Sequence, residues 1–219
     1  MNKVVIFGAS GHGKVIADIF EQLDGYSILG FIDSFKNRGT KVLDYSVLGS
    51  EKDLLSITGG ELVKGIVGIG DNWGRKQMVD QILEIQPDFQ FINAIHPKAI
   101  ISKHIKIGIG VVIVGGAIIN PGSEIGDHVI INTKSSVGHD TVLDNYSSLG
   151  PGVTLGGNVT IGELSAISIG AVVRNNIKIG TNTVVGANSL VNKDLDDHVV
   201  AYGSPIELIK KRDLGDPYL

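Results

Sequence analysis

Two rhythms of apolar residues divide this chain near residue 93. Before it, short apolar runs alternate with stretches of helical spacing. Residues 4–7 read as a strand, and residues 14–23 as a helix with Val15, Ile16, Ile19, Phe20 and Leu23 on one side. Residues 27–32 and 65–69 read as further strands. Residues 75–85 form a second helix whose apolar face carries Met78, Val79, Ile82 and Leu83, and residues 89–92 close the set. Strands separated by helices predict βαβ units around a small parallel sheet.

After residue 93 the rhythm is six. Stepping by six from Ile101 to Val191 lands on sixteen residues, and all are Ile, Val or Leu. Those types fill 33 of the 91 residues in that stretch, so chance would supply about six of the sixteen. The residue two places earlier is always Ala, Ser, Thr, Val or Ile, and half of the sixteen are followed by Gly. A fixed period of six is the signature of a parallel β-helix, in which each hexapeptide forms one flat side of a solenoid. The aliphatic residue points inward, the small residue sits beside it, and Gly is expected to ease the turn. Of twelve aromatic residues only Tyr146 lies within 101–191, as a narrow stacked interior requires. A β-sandwich, the competing reading, alternates with period two. The expectation is an α/β Rossmann-like domain over residues 1–93 and an all-β parallel β-helix over residues 94–219, tail included.

Composition narrows the chemistry. A net charge of −4 with no Lys/Arg cluster argues against nucleic acid or an anionic membrane as the main partner. The absence of cysteine excludes disulfides, thiolate metal sites and Cys nucleophiles. The first apolar run is shorter than a signal-peptide core, and no segment approaches the roughly 18 unbroken apolar residues of a membrane span. A soluble cytoplasmic protein is expected.

Residues 8–15, GASGHGKV, follow the first strand with the G-x-x-x-x-G-K spacing of a phosphate cradle. A P-loop places Ser or Thr after the Lys to hold Mg²⁺, and Val15 has no hydroxyl. The glycines are not spaced as in a dinucleotide fingerprint either. What remains is physical: glycines let the backbone approach a ligand closely, and the helix N-terminus that follows attracts phosphate. Asp33, at the end of the second strand, can accept from ribose hydroxyls or a uracil N–H. Gly8, Ser10, Gly11, His12, Gly13, Lys14 and Asp33 are therefore candidates for a nucleotide-sugar cradle. The alternative is a glycine-rich turn that only packs helix on sheet.

Most outward positions of the repeat hold turn and solvent residues. Val137-Gly138-His139-Asp140 departs from that pattern, with His139 just past an inward Val. A solvated turn histidine is the plain reading. The functional one is a base whose tautomer Asp140 fixes, which requires the turn to bring two adjacent side chains to the same side. His104, His128 and His198 read as surface residues, and His96 as structural.

The strings INTKSSVGHD, LGGNVTIG and AYGSP, with IFGASGHGKV, GFIDS, VGIGDN and IHPKAIIS, resemble the NeuD/PglD-type sugar acetyltransferases over nearly the whole chain. These are bacterial acetyl-CoA-dependent enzymes of cell-surface polysaccharide biosynthesis that N-acetylate nucleotide-linked 4-amino sugars or O-acetylate sialic acid. The resemblance implies a homotrimer of left-handed β-helices with active sites between protomers and no metal. It also implies His139 as general base, Asp140 as its support, and the Gly157 N–H as oxyanion donor. Asn132 matches a position close to the sugar, and Asn72 is assigned with it to the substrate. Ser148, Gly157, Ile169, Gly170, Ala171, Gly186, Ala187 and Pro205 match the coenzyme track. Two positions depart from the family: Ser148 stands where many members carry a second His, and Ile206-Glu207 replaces Ala-Lys after Pro205.

The leading expectation is N-acetylation of a nucleotide-linked amino sugar; the runner-up is O-acetylation of sialic acid or a related sugar. A zinc enzyme on this fold needs three converging imidazoles, and only His128 and His139 lie between residues 105 and 197. A non-catalytic sugar-nucleotide scaffold is the remaining alternative.

Overall fold

The computed structural model describes residues 1–59 and 63–218, and counts and absences below refer to these residues. The chain opens with β1 (Asn2–Phe7), α1 (Gly11–Glu21), β2 (Tyr26–Ile32), β3 (Lys41–Val42), β4 (Tyr45–Gly49) and α2 (Leu54–Thr58). It continues with β5 (Lys64–Val67), α3 (Asn72–Ile85) and β6 (Gln90–Phe91). The strands form one sheet in the order β3-β4-β2-β1-β5-β6, parallel except for the β3–β4 hairpin. β1 is central, so Val4, Val5, Ile6 and Phe7 are buried on both sides, which explains an unbroken apolar run. The hairpin and α2 escaped the sequence reading because segments of two to five residues carry too little periodicity. Both longer helices begin three residues earlier than their apolar spacing suggested. The Gly11–Gly13 stretch is itself the first turn of α1, and Asp71 caps α3 by accepting the Gly74 N–H at 2.7 Å.

From Ala94–Ile95 onward the chain winds as a left-handed parallel β-helix with three faces. Up to Leu190–Val191 the strands pair 18 residues apart, as in Val112↔Ile130 and Ile113↔Ile131, and the last coil is shorter, with Val184↔Val200. The inward residues from Ile113 to Val191 are at most 3% exposed, and stacking them buries one continuous core. Tyr146, the lone ring of this region, stands outside the prism against the N-terminal domain.

The corners show where backbone freedom is needed. From Gly110 to Asn188, every sixth residue has a left-handed φ between 51° and 79°, whether it is Gly, Asn, Asp, His, Lys, Tyr or Leu. The glycine after the inward aliphatic is not one of these positions. It is required instead by close approach of the next coil: a methyl group on Gly138 would collide with the Gly156 carbonyl.

The first face, which begins with Ala94–Ile95, is covered by the N-terminal domain. Ala94, Val112 and Ile130 share a cluster with Ile16, Ile19 and Phe20 of α1. A fully buried Arg75 pins the other side of the junction. It donates to the carbonyls of Ile69, Gly70, His128 and Tyr146 and to Asn72 Oδ1, at 2.7–3.0 Å. Burial lowers its pKa to about 10. His128, expected at the surface, is only 3% exposed, edge-on to Phe91 and stacked on Tyr146 at 5.1 Å. Its corner position faces the docked domain rather than water.

Candidate active site

A groove of about 570 Å³ runs along the corner between the first and second faces. The coil corners supply Asn132, Ser168, Ile169, Gly186 and Ala187, and the first face supplies Ser148. The N-terminal domain supplies His12 and Gly70, and the tail supplies Tyr218. Its walls are mainly apolar, with Ile130, Leu149, Ala166, Ile167 and Val184. Such a channel suits a flexible, largely apolar arm that carries a polar group at one end.

His12 sits in the first turn of α1 and presents a buried Nε2 with no hydrogen-bond partner. Burial, reinforced by the nearby Arg75 charge, holds its pKa down to about 4, so the ring is neutral near pH 7. A neutral imidazole with an open nitrogen beside a groove is ready to meet a ligand's polar atom. Ser10 precedes the helix without a side-chain capping bond, and Gly11 has open space around it. Asp33 braces this loop, since its two oxygens accept the Ala9 and Phe35 N–H groups, each at 2.8 Å.

Several expected contacts are spent elsewhere. Asn72 is 1% exposed, donates to the Leu164 and Ser165 carbonyls and accepts from Arg75, leaving none of its side chain for a substrate. Ala171 points into the coil core at 0% exposure, because it occupies the small inward position of its hexapeptide. Gly170 is a corner residue with φ +70°. Gly8 and Gly13 are packed against Gly68 and Gly8 respectively, which is the helix-on-sheet reading of those two glycines. Lys14 lines a separate recess of about 480 Å³ with His96 and Thr133. Pro205 does not line the groove; Tyr202 from the same segment covers Gly186. Tyr218 was missed because nothing periodic links a tail residue to a coil corner.

His139 and Asp140 occupy the next corner, between the second and third faces. The left-handed φ of Asp140, +54°, folds its side chain back, and His139 Nδ1 lies 2.7 Å from Asp140 Oδ2. A carboxylate only accepts, so it favours the Nδ1–H tautomer and leaves the Nε2 lone pair available. Nε2 lies over Gly157 of the following coil, where an added methyl group would collide with it. The Gly157 N–H makes no hydrogen bond among the described residues. His139 is not part of the groove within one chain.

Known proteins share this fold over nearly the whole chain. Residues 3–82 match the family model described as the PglD N-terminal domain. A structure from Caulobacter crescentus, a histidine-to-asparagine variant of perosamine N-acetyltransferase with CoA and GDP-perosamine, is 34% identical. It covers 96% of this chain and 98% of its own, with a TM-score of 0.90. The PglB acetyltransferase domain of Neisseria gonorrhoeae, with acetyl coenzyme A, is 31% identical, covers 95% of this chain and all of its own, and has a TM-score of 0.87. The UDP-N-acetylbacillosamine N-acetyltransferase of Bacillus subtilis is 36% identical over 115 residues; the match spans 52% of this chain and about half (51%) of that relative's length. Fold and site together define a hexapeptide-repeat acyltransferase with an appended α/β domain. The chain belongs to the PglD/NeuD-type family of sugar acetyltransferases.

Proposed function

We propose that this protein transfers the acetyl group of acetyl-CoA to the amino group of a nucleotide-linked amino sugar. The observation that carries the reading is the His139–Asp140 pair, with its 2.7 Å bond and an open Nε2 above Gly157. His139 takes the proton as the amine attacks the thioester carbonyl. Asp140 steadies the imidazolium, and the Gly157 N–H meets the charge growing on oxygen. The thiolate then leaves directly, with no covalent enzyme intermediate. The groove takes the pantetheine arm, and the open N-terminus of α1 with His12 and Gly11 takes the nucleotide sugar. Relatives with GDP- and UDP-linked sugars in their names or complexes support this substrate class. A cytoplasmic location is part of this reading.

The working form is a homotrimer. Outward residues on the first face are covered and those on the third include Lys106, Glu124 and Lys178. The second face instead exposes Ile100, Ile118 and Val172. Turning that face to a threefold axis sets the groove at one of its edges against His139 at the same face's other edge on a neighbour, completing a site no single chain contains.

The test is a panel of nucleotide 4-amino sugars with acetyl-CoA, following free CoA thiol. At least one should release thiol, and His139→Ala should lower that rate 10²–10⁴-fold while retaining CoA binding. Silence across the whole panel, or full turnover in the variant, overturns the reading.

A further inference from the structure

The loop after β2 carries the most exposed large apolar side chain among the described residues: Phe35, at 99%. Exposure of a single ring says little by itself. What sets Phe35 apart is where it stands and how firmly its backbone is held. The Asp33 N–H donates to the Gly49 carbonyl at 2.9 Å, the Ser34 hydroxyl donates to Glu51, and the Phe35 N–H donates to Asp33 Oδ1 at 2.8 Å. The other Asp33 oxygen accepts the Ala9 N–H, also at 2.8 Å. The loop bearing Phe35 and the loop that opens α1 therefore hang on one carboxylate. The chain runs from β1 to β2 on one side of the sheet and returns to β5 on the other side of β1. Open α/β sheets take ligands beyond the carboxyl ends of their strands at such a switch.

We propose that Phe35 is the platform on which the base of the nucleotide sugar stacks. This rests on the nucleotide-sugar reading above. With the phosphates at the N-terminus of α1, the loop after β2 is the next surface outward, and Phe35 is its apolar group. A ring left in water forgoes the gain of burial, and the fixed backbone beneath it keeps it ready for a flat apolar partner. Every nucleobase has such a face, and a two-ring purine covers more of the phenyl than a pyrimidine does. The polar groups beside the ring are already engaged. Both Asp33 oxygens accept backbone N–H groups, and the Ser34 hydroxyl is spent on Glu51. Stacking is therefore the main recognition this loop offers. Lys36 and Arg38 follow in the same exposed loop and draw an anionic nucleotide toward it.

The experiment measures GDP and UDP binding by calorimetry in wild type, Phe35→Ala and Phe35→Trp, with steady-state kinetics on the nucleotide sugar that the panel identifies. Because the ring stands in water, neither substitution should move the melting temperature. Phe35→Ala should weaken the tighter of the two nucleotides about tenfold and raise KM for the nucleotide sugar by a similar factor. The effect should fall on that KM rather than on kcat, with KM for acetyl-CoA within twofold of wild type. Phe35→Trp should restore the affinity, and the emission it adds to that of Trp73, the chain's only tryptophan, should be quenched as the nucleotide binds. Unchanged nucleotide affinity in Phe35→Ala, or an added indole whose emission ignores the nucleotide, overturns the platform while leaving acetyl transfer standing. So does a fall in the mass of the assembly, which would make the ring a subunit contact. A wild type that binds neither nucleotide and turns over no nucleotide sugar removes both proposals.

Discussion

At the corner that carries His139, the imidazole rests on the backbone of the next coil at Gly157, where a side chain would collide with Nε2. The reactive nitrogen is therefore positioned from two directions, by Asp140 at Nδ1 and by bare backbone beneath. Gly157 needs no left-handed φ, unlike Asp140 at +54°, so alanine there is acceptable to the backbone and harmful only to the ring. Gly157→Ala should lower kcat at least tenfold, with KM for acetyl-CoA within twofold and stability changed by less than about 1 kcal/mol. Steady-state kinetics beside a thermal melt separate these effects, and a kcat within twofold of wild type would mean that the ring is not held there.

Among the elements, the junction of α3 with the coils has the most unusual balance. Arg75 is a buried cation whose bonds go to carbonyls and an amide oxygen rather than to a carboxylate, and the neutral ring of His128 lies near it. Burial first, and the Arg75 charge second, hold the His128 pKa down to about 4; Asp127 and Asp80 pull weakly the other way. His12 shares both causes and the same value. A histidine with a depressed folded pKa takes up a proton on unfolding between that value and the unfolded 6.5. Its stabilising effect is thus fully present above pH 6.5 and lost as pH falls toward 4. For His128 alone the loss is on the order of 3 kcal/mol. The melting temperature should be flat above pH 6.5 and fall steeply from 6.5 to 4, and His128→Phe should flatten part of that fall. A melt with the same slope in the variant would remove His128 from the cause. None of this junction was legible in the sequence. The coil phase repeats locally every six residues, so each inward side chain could be placed from its neighbours. Arg75 meets carbonyls 53 and 71 residues away, and no periodicity encodes that. The same gap made Asn72 look like a ligand residue and His128 a surface one. By contrast, the His139–Asp140 bond was readable as a condition on the turn, because the left-handed corner falls on the same register as the repeat.

In the whole molecule, the three faces of the prism have unequal fates. The first is covered by the α/β domain, with Val112 and Ile130 at 0% and 3% exposure. The third carries Lys106 paired with Glu124 across neighbouring coils and suits water. The second leaves Ile100, Ile118 and Val172 at 65%, 39% and 42% exposure, in a line along the stack. Apolar residues aligned on a rigid flat face mark an interaction surface rather than scattered exposure. The groove and His139 bracket this face without meeting inside one chain, so association and catalysis should fail together. Ile118→Glu would set three like charges around a closed apolar axis, where neither water nor a counterion compensates them. The interior of each coil would be untouched, because Ile118 points outward while Ile119 carries the core. Wild type should therefore show a three-chain mass by light scattering. The variant should show one chain, retain its circular dichroism and melting cooperativity, and lose at least tenfold in turnover at concentrations where it is single. A monomeric variant with full turnover would place the whole site within one chain, and a trimeric one would move the seam to another face.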